Sequence, residues 1–179
     1  LITGDEEGPA TFGTPAIIRW LNERAIRPDM ILIGEPTSET RLGDTVKIGR
    51  RGSVNMWIEI PGIQGHVAYP KLADNPLPRL LSLLQALISH GFDEGSKFFQ
   101  PSNLEISSID VGNPADNVIP AKGTARFNIR YNDNWTSETL EAEIRRVLDS
   151  LGASYELEMW GNAESFLTEP GPFTDLLRD

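Results

Sequence analysis

The order of two hydrophobic patterns between residues 49 and 160 limits the folds that this chain can adopt. Four segments alternate apolar and polar residues, which is typical of strands with one buried face. Two longer segments repeat apolar residues every three or four positions, which is typical of amphipathic helices. In chain order they read strand, helix, strand, strand, helix, strand. This order predicts an α+β fold, a ferredoxin-like βαββαβ domain whose antiparallel four-stranded sheet carries both helices on one face.

Turn and capping residues give the expected boundaries of these segments. Pro76 suits the first turn of the first helix, and Gly91 follows its end. Thr136 or Ser137 is expected to cap the second helix, which Gly152 ends. The expected strands cover residues 53–60, 104–111, 123–131 and 154–160.

The residues on either side of this domain follow a different pattern. A helix is predicted at 15–24, and the continuous apolar run at 30–33 predicts a strand buried on both faces of a parallel sheet. We therefore expect residues 1–48 to be part of an interrupted α/β domain, residues 49–160 to be inserted into it, and residues 161–179 to return to it. Because the first residue is not Met and both flanks look incomplete, we expect an internal fragment of a longer protein.

Composition excludes several functions. Acidic residues outnumber basic ones by 26 to 16, which argues against a surface that binds nucleic acid through its phosphates. Cysteine is absent from the sequence, so disulfides, zinc fingers and a thiol nucleophile are excluded, and a reducing cytoplasm is the expected location. Metal ions would need carboxylate, imidazole or carbonyl ligands. No apolar run approaches the roughly 20 residues that span a bilayer, so we expect no membrane partner.

Three consecutive carboxylates near the start are candidates for a metal site. Side chains of neighbouring residues on an extended backbone point in opposite directions, so Glu6 and Glu7 could serve a substrate and a cation separately. A carboxylate held near a metal can deprotonate metal-bound water. Glu35 follows the predicted buried strand directly, at the edge of the sheet where α/β enzymes bind ligands. The alternatives are a solvated acidic loop for the first group and a turn residue before proline for Glu35.

Further candidates lie in loops of the inserted domain. His66 is flanked by glycines between the first strand and the first helix, where it is free to approach a ligand. The other histidine, His90, ends a helix and is expected to interact with its dipole. The pair Arg50 and Arg51 suits bidentate binding of a carboxylate. Asn117 lies in a segment that packing does not explain.

Six short stretches stand out along the chain: GDEEG at 4–8, GEPT at 34–37, GRRGS at 49–53, GHVAYP at 65–70, ADNP at 73–76 and NVIP at 117–120. In this order they resemble the bacterial succinyl-diaminopimelate desuccinylase family. That family is one branch of the co-catalytic dizinc amidohydrolases, which also include aminoacylases, acetylornithine deacetylases and glutamate carboxypeptidases. The resemblance covers essentially the whole chain.

The resemblance implies a metal centre and an activity. Glu6 matches the general base, whereas Glu7 and Glu35 match ligands to one zinc ion each, with cobalt as an alternative metal. The implied reaction hydrolyses the amide of N-succinyl-LL-2,6-diaminopimelate in lysine and diaminopimelate biosynthesis. In these enzymes the flanking domain is a zinc-peptidase-like catalytic domain and the inserted domain is a dimerisation or lid domain.

The resemblance also implies a shared site in a homodimer formed through residues 49–160. His66 matches a histidine that the inserted domain contributes to the active site of the partner subunit, where it stabilises the developing oxyanion. Asn117 matches a residue that faces the substrate. Arg50 and Arg130 match candidates for binding substrate carboxylates.

Other family features are not found in this sequence. The family's site also needs a histidine and a bridging aspartate before Glu6, and a second histidine after the last residue. With two of five metal ligands, the chain alone is expected to bind zinc weakly and to be inactive. Two alternatives stay open: a deacylase of the acetylornithine type or for another acyl amino acid, and a non-catalytic dimerisation module.

Overall fold

A computed structural model describes residues 2, 4 and 11–177 of the 179-residue chain. The described residues divide into two compact units, one at residues 47–169 and one formed by the chain on either side of it. A single-turn 3-10 helix covers Pro70–Leu72. The other elements are α1 (Gly13–Glu23), β1 (Gly49–Arg50), β2 (Gly52–Pro61), β3 (Gly65–His66), α2 (Pro76–Ser89), β4 (Asn103–Asp110), β5 (Val118–Ile119), β6 (Lys122–Tyr131), α3 (Ser137–Asp149), β7 (Glu156–Ala163), β8 (Phe166–Leu167) and α4 (Pro172–Leu176).

A four-stranded antiparallel sheet organises the larger unit. Its strand order is β4-β6-β2-β7, so β2 lies between β6 and β7. Strand β2 pairs with β6 along its whole length, from Gly52 opposite Tyr131 to Pro61 opposite Lys122. The predicted α+β class and the ferredoxin-like order of elements are confirmed. Two short pairs, β1 with β8 and β3 with β5, extend the unit beyond this sheet.

Both long helices cover the same face of the sheet. Every second residue of β2 and β6 is buried on that face and packs against buried residues of α2 and α3. Full burial of one such aliphatic side chain contributes about 1.5–3 kcal/mol. The core consists of Val54, Met56, Ile58 and Ile60 from β2, Ala125, Phe127, Ile129 and Tyr131 from β6, Leu80, Leu83, Leu84 and Leu87 from α2, and Leu140, Ile144, Val147 and Leu148 from α3.

Side-chain caps begin both core helices. Asn75 accepts a hydrogen bond from the Leu77 amide at the start of α2. At the start of α3, Thr136 and Thr139 each accept a hydrogen bond from the other's backbone amide, which forms a capping box. Thr136 is therefore the cap. Ser137 instead donates its amide and hydroxyl to the Glu164 carboxylate.

A partly buried polar network fixes the connection between α2 and β4. The Asp93 carboxylate accepts from the Ser102 amide at 3.2 Å, the Asn132 side chain at 2.5 Å and the Trp135 indole at 2.8 Å. It also accepts from the Gly95 amide at 2.8 Å. Burial raises the pKa of Asp93, but hydrogen bonds from Ser102, Trp135 and Gly95 outweigh burial and hold the pKa below its usual value.

Replacing this carboxylate by an amide should destabilise the fold. Asp93→Asn is expected to lower the free energy of unfolding at pH 7 by about 1–3 kcal/mol, because an amide group cannot accept all of these hydrogen bonds. The folded-state pKa of Asp93 lies below the unfolded value of about 3.9, so its contribution is present above that value. The contribution is lost as the pH falls through the folded-state pKa, and the wild-type chain should lose stability on acidification more steeply than the variant.

Urea unfolding followed by tryptophan fluorescence, in pH steps from about 7 to 2, measures both effects. Asp133→Asn is the matched control, since Asp133 is exposed and directly follows Asn132, which donates to Asp93. Equal stability loss and equal pH dependence in the two variants would contradict the role of Asp93.

One sequence prediction for the smaller unit is wrong. Helix α1 forms close to its predicted place, but residues 30–33 form no strand. Their side chains are 56–71% exposed, although the sequence predicts burial on both faces. A strand of a parallel sheet needs paired neighbours and covering helices, and within the described residues of this unit no strand is formed that could pair with this segment.

No helix in the described part of the chain is both long enough and apolar enough to cross a membrane.

Candidate functional site

A small ribbon brings two of the predicted site residues together. Strand β3 pairs with β5, with Gly65 opposite Ile119 and His66 opposite Val118. The Val67 amide extends the ribbon by donating to the Asn117 carbonyl at 3.0 Å. As a result, Nε2 of His66 lies 3.4 Å from Nδ2 of Asn117, although 51 positions separate them in sequence.

Close backbone contacts explain the glycines around this ribbon. A Cβ atom on Gly62 would lie 2.4 Å from the Asp74 carbonyl oxygen, and one on Gly65 would lie 2.7 Å from the Ala73 side chain. Both distances are shorter than any side chain tolerates. The glycines therefore let the loop that carries His66 close tightly on itself.

A backbone hydrogen bond sets the tautomer of His66. The Ala68 amide donates to Nδ1 of the ring at 3.0 Å. Nδ1 must then carry the lone pair, so the proton of the neutral ring lies on Nε2. The exposed ring thus presents an N–H donor beside the Asn117 amide group. An oxygen atom to one side of the line that joins these two nitrogens can lie within hydrogen-bonding distance of both and accept from both.

The tautomer can be measured directly, because the chain has only two histidines. Long-range ¹H–¹⁵N correlation spectra at a pH where the rings are neutral should show His66 with an unprotonated Nδ1 and a protonated Nε2. His90 is the internal reference, since its Nε2 lies 2.9 Å from the Glu143 carboxylate, and His90→Gln assigns the signals. A His66 ring protonated on Nδ1 would contradict the hydrogen bond from Ala68.

The structure separates the roles of the paired arginines. Arg51 donates to the Asn103 side chain at 2.8 Å and so joins the starts of β2 and β4. Arg50 lies on β1 with its guanidinium 5.8 Å from the Phe166 ring centre, and it is exposed. Arg130 is also exposed and lies on β6 opposite Ser53. Arg50 and Arg130 are thus available at the end of the sheet where β2 begins.

The two groups of candidate residues lie at opposite ends of β2. Arg130 is opposite Ser53 near the start of the strand, whereas His66 follows its last residue, Pro61. Eight residues of extended chain span roughly 25 Å. A small ligand that touches His66 therefore cannot touch Arg130 of the same subunit.

The predicted metal ligands are not brought together in the described residues. Glu35 is exposed in an irregular segment of the smaller unit. Glu6 and Glu7 lie outside the described residues. Over residues 2, 4 and 11–177, no group of three or more histidine, cysteine, aspartate or glutamate side chains could hold a metal ion. One predicted ligand does not make a metal site, so no catalytic step can be derived through a metal from these residues.

Some contacts of the two histidines leave no clear signal in the sequence. His90 lies at the C-terminal cap of α2, and its Nε2 is also 2.9 Å from the Glu143 carboxylate of α3. The donor that sets the His66 tautomer is the backbone of Ala68. Any residue except proline supplies that donor, so its identity carries no information.

The larger unit is thus an antiparallel four-stranded sheet with two helices on one face and a histidine on a side ribbon. The chain belongs to the peptidase dimerisation domain family, whose family model matches residues 48–156.

Similar proteins extend this finding beyond the matched domain. The chain is 55% identical over 178 residues to the succinyl-diaminopimelate desuccinylase of Xanthobacter autotrophicus, covering 99% of this chain and 48% of the relative. It is likewise 55% identical over 177 residues to the enzyme of that name from Rhizorhabdus wittichii, covering 99% and 47%. The chain therefore spans about half the length of the curated relatives that it matches. Among solved structures, a tripeptidase from Staphylococcus aureus shares the fold, with a TM-score of 0.60 and 15% identity over 78% of this chain and 37% of that chain.

Proposed function

We propose that this chain is part of a succinyl-diaminopimelate desuccinylase. The proposed activity is the metal-dependent hydrolysis of N-succinyl-LL-2,6-diaminopimelate to succinate and diaminopimelate, in lysine and diaminopimelate biosynthesis in the cytoplasm. The identity of 55% over almost the entire chain supports this activity, because it includes the flanks as well as the dimerisation domain. Taken alone, the chain is proposed to be an inactive folding and dimerisation module.

The separation of His66 from Arg130 along β2 carries the mechanistic part of the proposal. If both residues contact substrate, they do so in different active sites, since roughly 25 Å of strand lies between them. A symmetric homodimer meets this requirement, because each site can take its arginines from one subunit and its histidine from the other. His66 and Asn117 are therefore proposed to act in the active site of the partner subunit.

An exposed apolar surface on one side of the unit supports dimerisation through residues 49–160. Leu81 and Ile88 lie two turns apart on α2 and are 59% and 57% exposed. Ile109, on the edge strand β4, is 51% exposed. Helix α2 contacts β4, and β4 has an unpaired edge. Apolar side chains beside an open sheet edge favour association with a second copy.

The proposed chemistry assigns a separate role to each side chain. Glu7 and Glu35 would be two of the ligands of a two-zinc centre, which would supply Lewis-acid chemistry when bound. Glu6 would be the general base, which would accept a proton from the attacking water and return it to the leaving amine. The Nε2–H group of His66 would donate to the oxyanion that develops on the carbonyl oxygen.

Substrate binding falls to the remaining polar residues. Asn117 lies beside His66 and would donate to the substrate from its amide group. Arg50 and Arg130 would bind substrate carboxylates through bidentate hydrogen bonds, which an arginine forms better than a lysine. These two cations are positioned for an anionic substrate in a chain whose net charge is -10.

Two substitutions in the whole enzyme test these roles. His66→Ala is expected to lower kcat by about 10²-fold or more, which is the usual cost of losing one oxyanion donor. Glu6→Gln should abolish turnover, because an amide cannot accept the proton. The metal content should stay at the wild-type ratio in both variants, since neither residue is a proposed ligand. Initial rates with N-succinyl-diaminopimelate and metal analysis of the purified proteins provide the measurements.

The matched control is His90→Gln, which changes the other histidine at its contact with Glu143 of α3 and should leave kcat unchanged. N-acetylornithine serves as the competing substrate. Faster turnover of N-acetylornithine than of the succinyl compound would contradict the proposed substrate, and full activity of His66→Ala would contradict the proposed role of His66.

A further inference from the structure

The loop that carries His66 is closed at its base by paired backbone groups. Residues 62–75 connect β2 to α2. The Ile63 amide donates to the Asp74 carbonyl at 2.9 Å, and the Asp74 amide donates to the Ile63 carbonyl at 2.9 Å. The two ends of the loop are therefore held side by side, next to the last residue of β2.

The guanidinium group of Arg79 donates three hydrogen bonds at the base of this loop. Arg79 of α2 donates from Nη1 to Asp74 Oδ1 at 2.5 Å and from Nη2 to Asp74 Oδ2 at 2.9 Å. Its Nη2 also donates to the Pro61 carbonyl at 2.7 Å. Arg79 thus connects the far end of the loop to the end of β2 and to the first turns of α2. Strand β2 and helix α2 both contribute side chains to the core.

The far part of the loop has little packing to hold it. Val67, Tyr69 and Leu72 are 48%, 64% and 78% exposed. The ribbon that presents His66 has only two residues in each strand. The position of the ring relative to Asn117 therefore depends on how firmly the base of the loop is held.

We propose that Asp74 and Arg79 are positioning residues that hold His66 opposite Asn117. Their importance for catalysis rests on the proposed function of His66, whereas their effect on the loop does not. They act through the base of the loop, where Arg79 binds Asp74 and the Pro61 carbonyl, and not through the His66 ring. The pair is partly exposed, with side-chain exposures of 46% for Asp74 and 32% for Arg79, and such pairs contribute little to global stability. Breaking the Asp74–Arg79 pair is therefore expected to loosen the His66 loop without a large loss of global stability.

A second arginine provides a matched control. Arg145 of α3 donates to the Glu141 carboxylate from Nε at 2.9 Å and from Nη2 at 2.6 Å. Its Nη2 also donates to the Leu157 carbonyl at 3.2 Å. This arrangement repeats that of Arg79, a guanidinium joining a carboxylate to a strand carbonyl, but on α3 and β7 instead of the His66 loop.

Amide hydrogen exchange in the 179-residue chain tests the proposal. The reporter is the Val67 amide, which donates to the Asn117 carbonyl in the ribbon. Asp74→Asn and Arg79→Lys should each speed exchange at Val67 by about tenfold or more, because neither variant can form the charged, two-pronged contact. Glu141→Gln and Arg145→Lys should leave Val67 unchanged. Asp74→Glu, which keeps the carboxylate, should restore part of the protection.

Thermal unfolding of the same variants completes the test. The melting temperatures of the Asp74 and Arg79 variants should fall no further than those of the Glu141 and Arg145 controls. Exchange at Val67 equal to that of the controls would overturn the proposal, as would loss of the whole fold in both test variants. This readout needs no turnover, so it decides the positioning role even if His66→Ala proves fully active and the proposed function fails.

In the whole enzyme the same pair should affect the rate more than substrate binding. Asp74→Asn is expected to lower kcat about tenfold and to change KM less than twofold, since the misplaced group serves the transition state. An unchanged kcat together with faster exchange at Val67 would overturn the link between this pair and catalysis.

Discussion

The burial of one face of β2 is the constraint on which the rest of the structure depends. This strand pairs on both sides, and its alternate residues fill the space beneath α2 and α3. A shift of its register by one residue would expose that entire set of side chains. Because the strand is fixed so firmly, the segments that leave its two ends start from fixed points. The arginines lie at one end and the His66 loop at the other.

A long central strand also explains why the candidate site is divided. Strand β2 keeps His66 and Arg130 apart, because movement of the loop at residues 62–75 does not change the length of the strand. The same rigidity makes each half of the site precise, because Asn117 and His66 meet on a ribbon anchored to the core, and Arg130 lies within the sheet. A divided site of this kind agrees with the proposed homodimer, in which each subunit would complete the site of the other.

Sequence patterns predicted the dimerisation domain well, because its strands and helices bury one face each and carry the full periodic signal. The prediction at residues 30–33 was wrong for a physical reason: a uniformly apolar run indicates burial but cannot say whether neighbours are present to bury it. The sequence also placed His66 and Asn117 among the candidates without indicating that they touch. Contacts made through backbone atoms, such as the one from Ala68 to His66, could not be predicted, since they do not depend on the residue type.

Mixing two inactive variants of the whole enzyme tests the shared site most directly. His66→Ala subunits keep Glu6, and Glu6→Gln subunits keep His66, so a mixed dimer contains one site in which both groups are intact. After subunit exchange of equal amounts, the mixture should recover about a quarter of the wild-type rate, because half of the dimers are mixed and one of their two sites is complete. If the subunits demonstrably exchange and the mixture stays inactive, His66 does not act across the dimer and the account is contradicted.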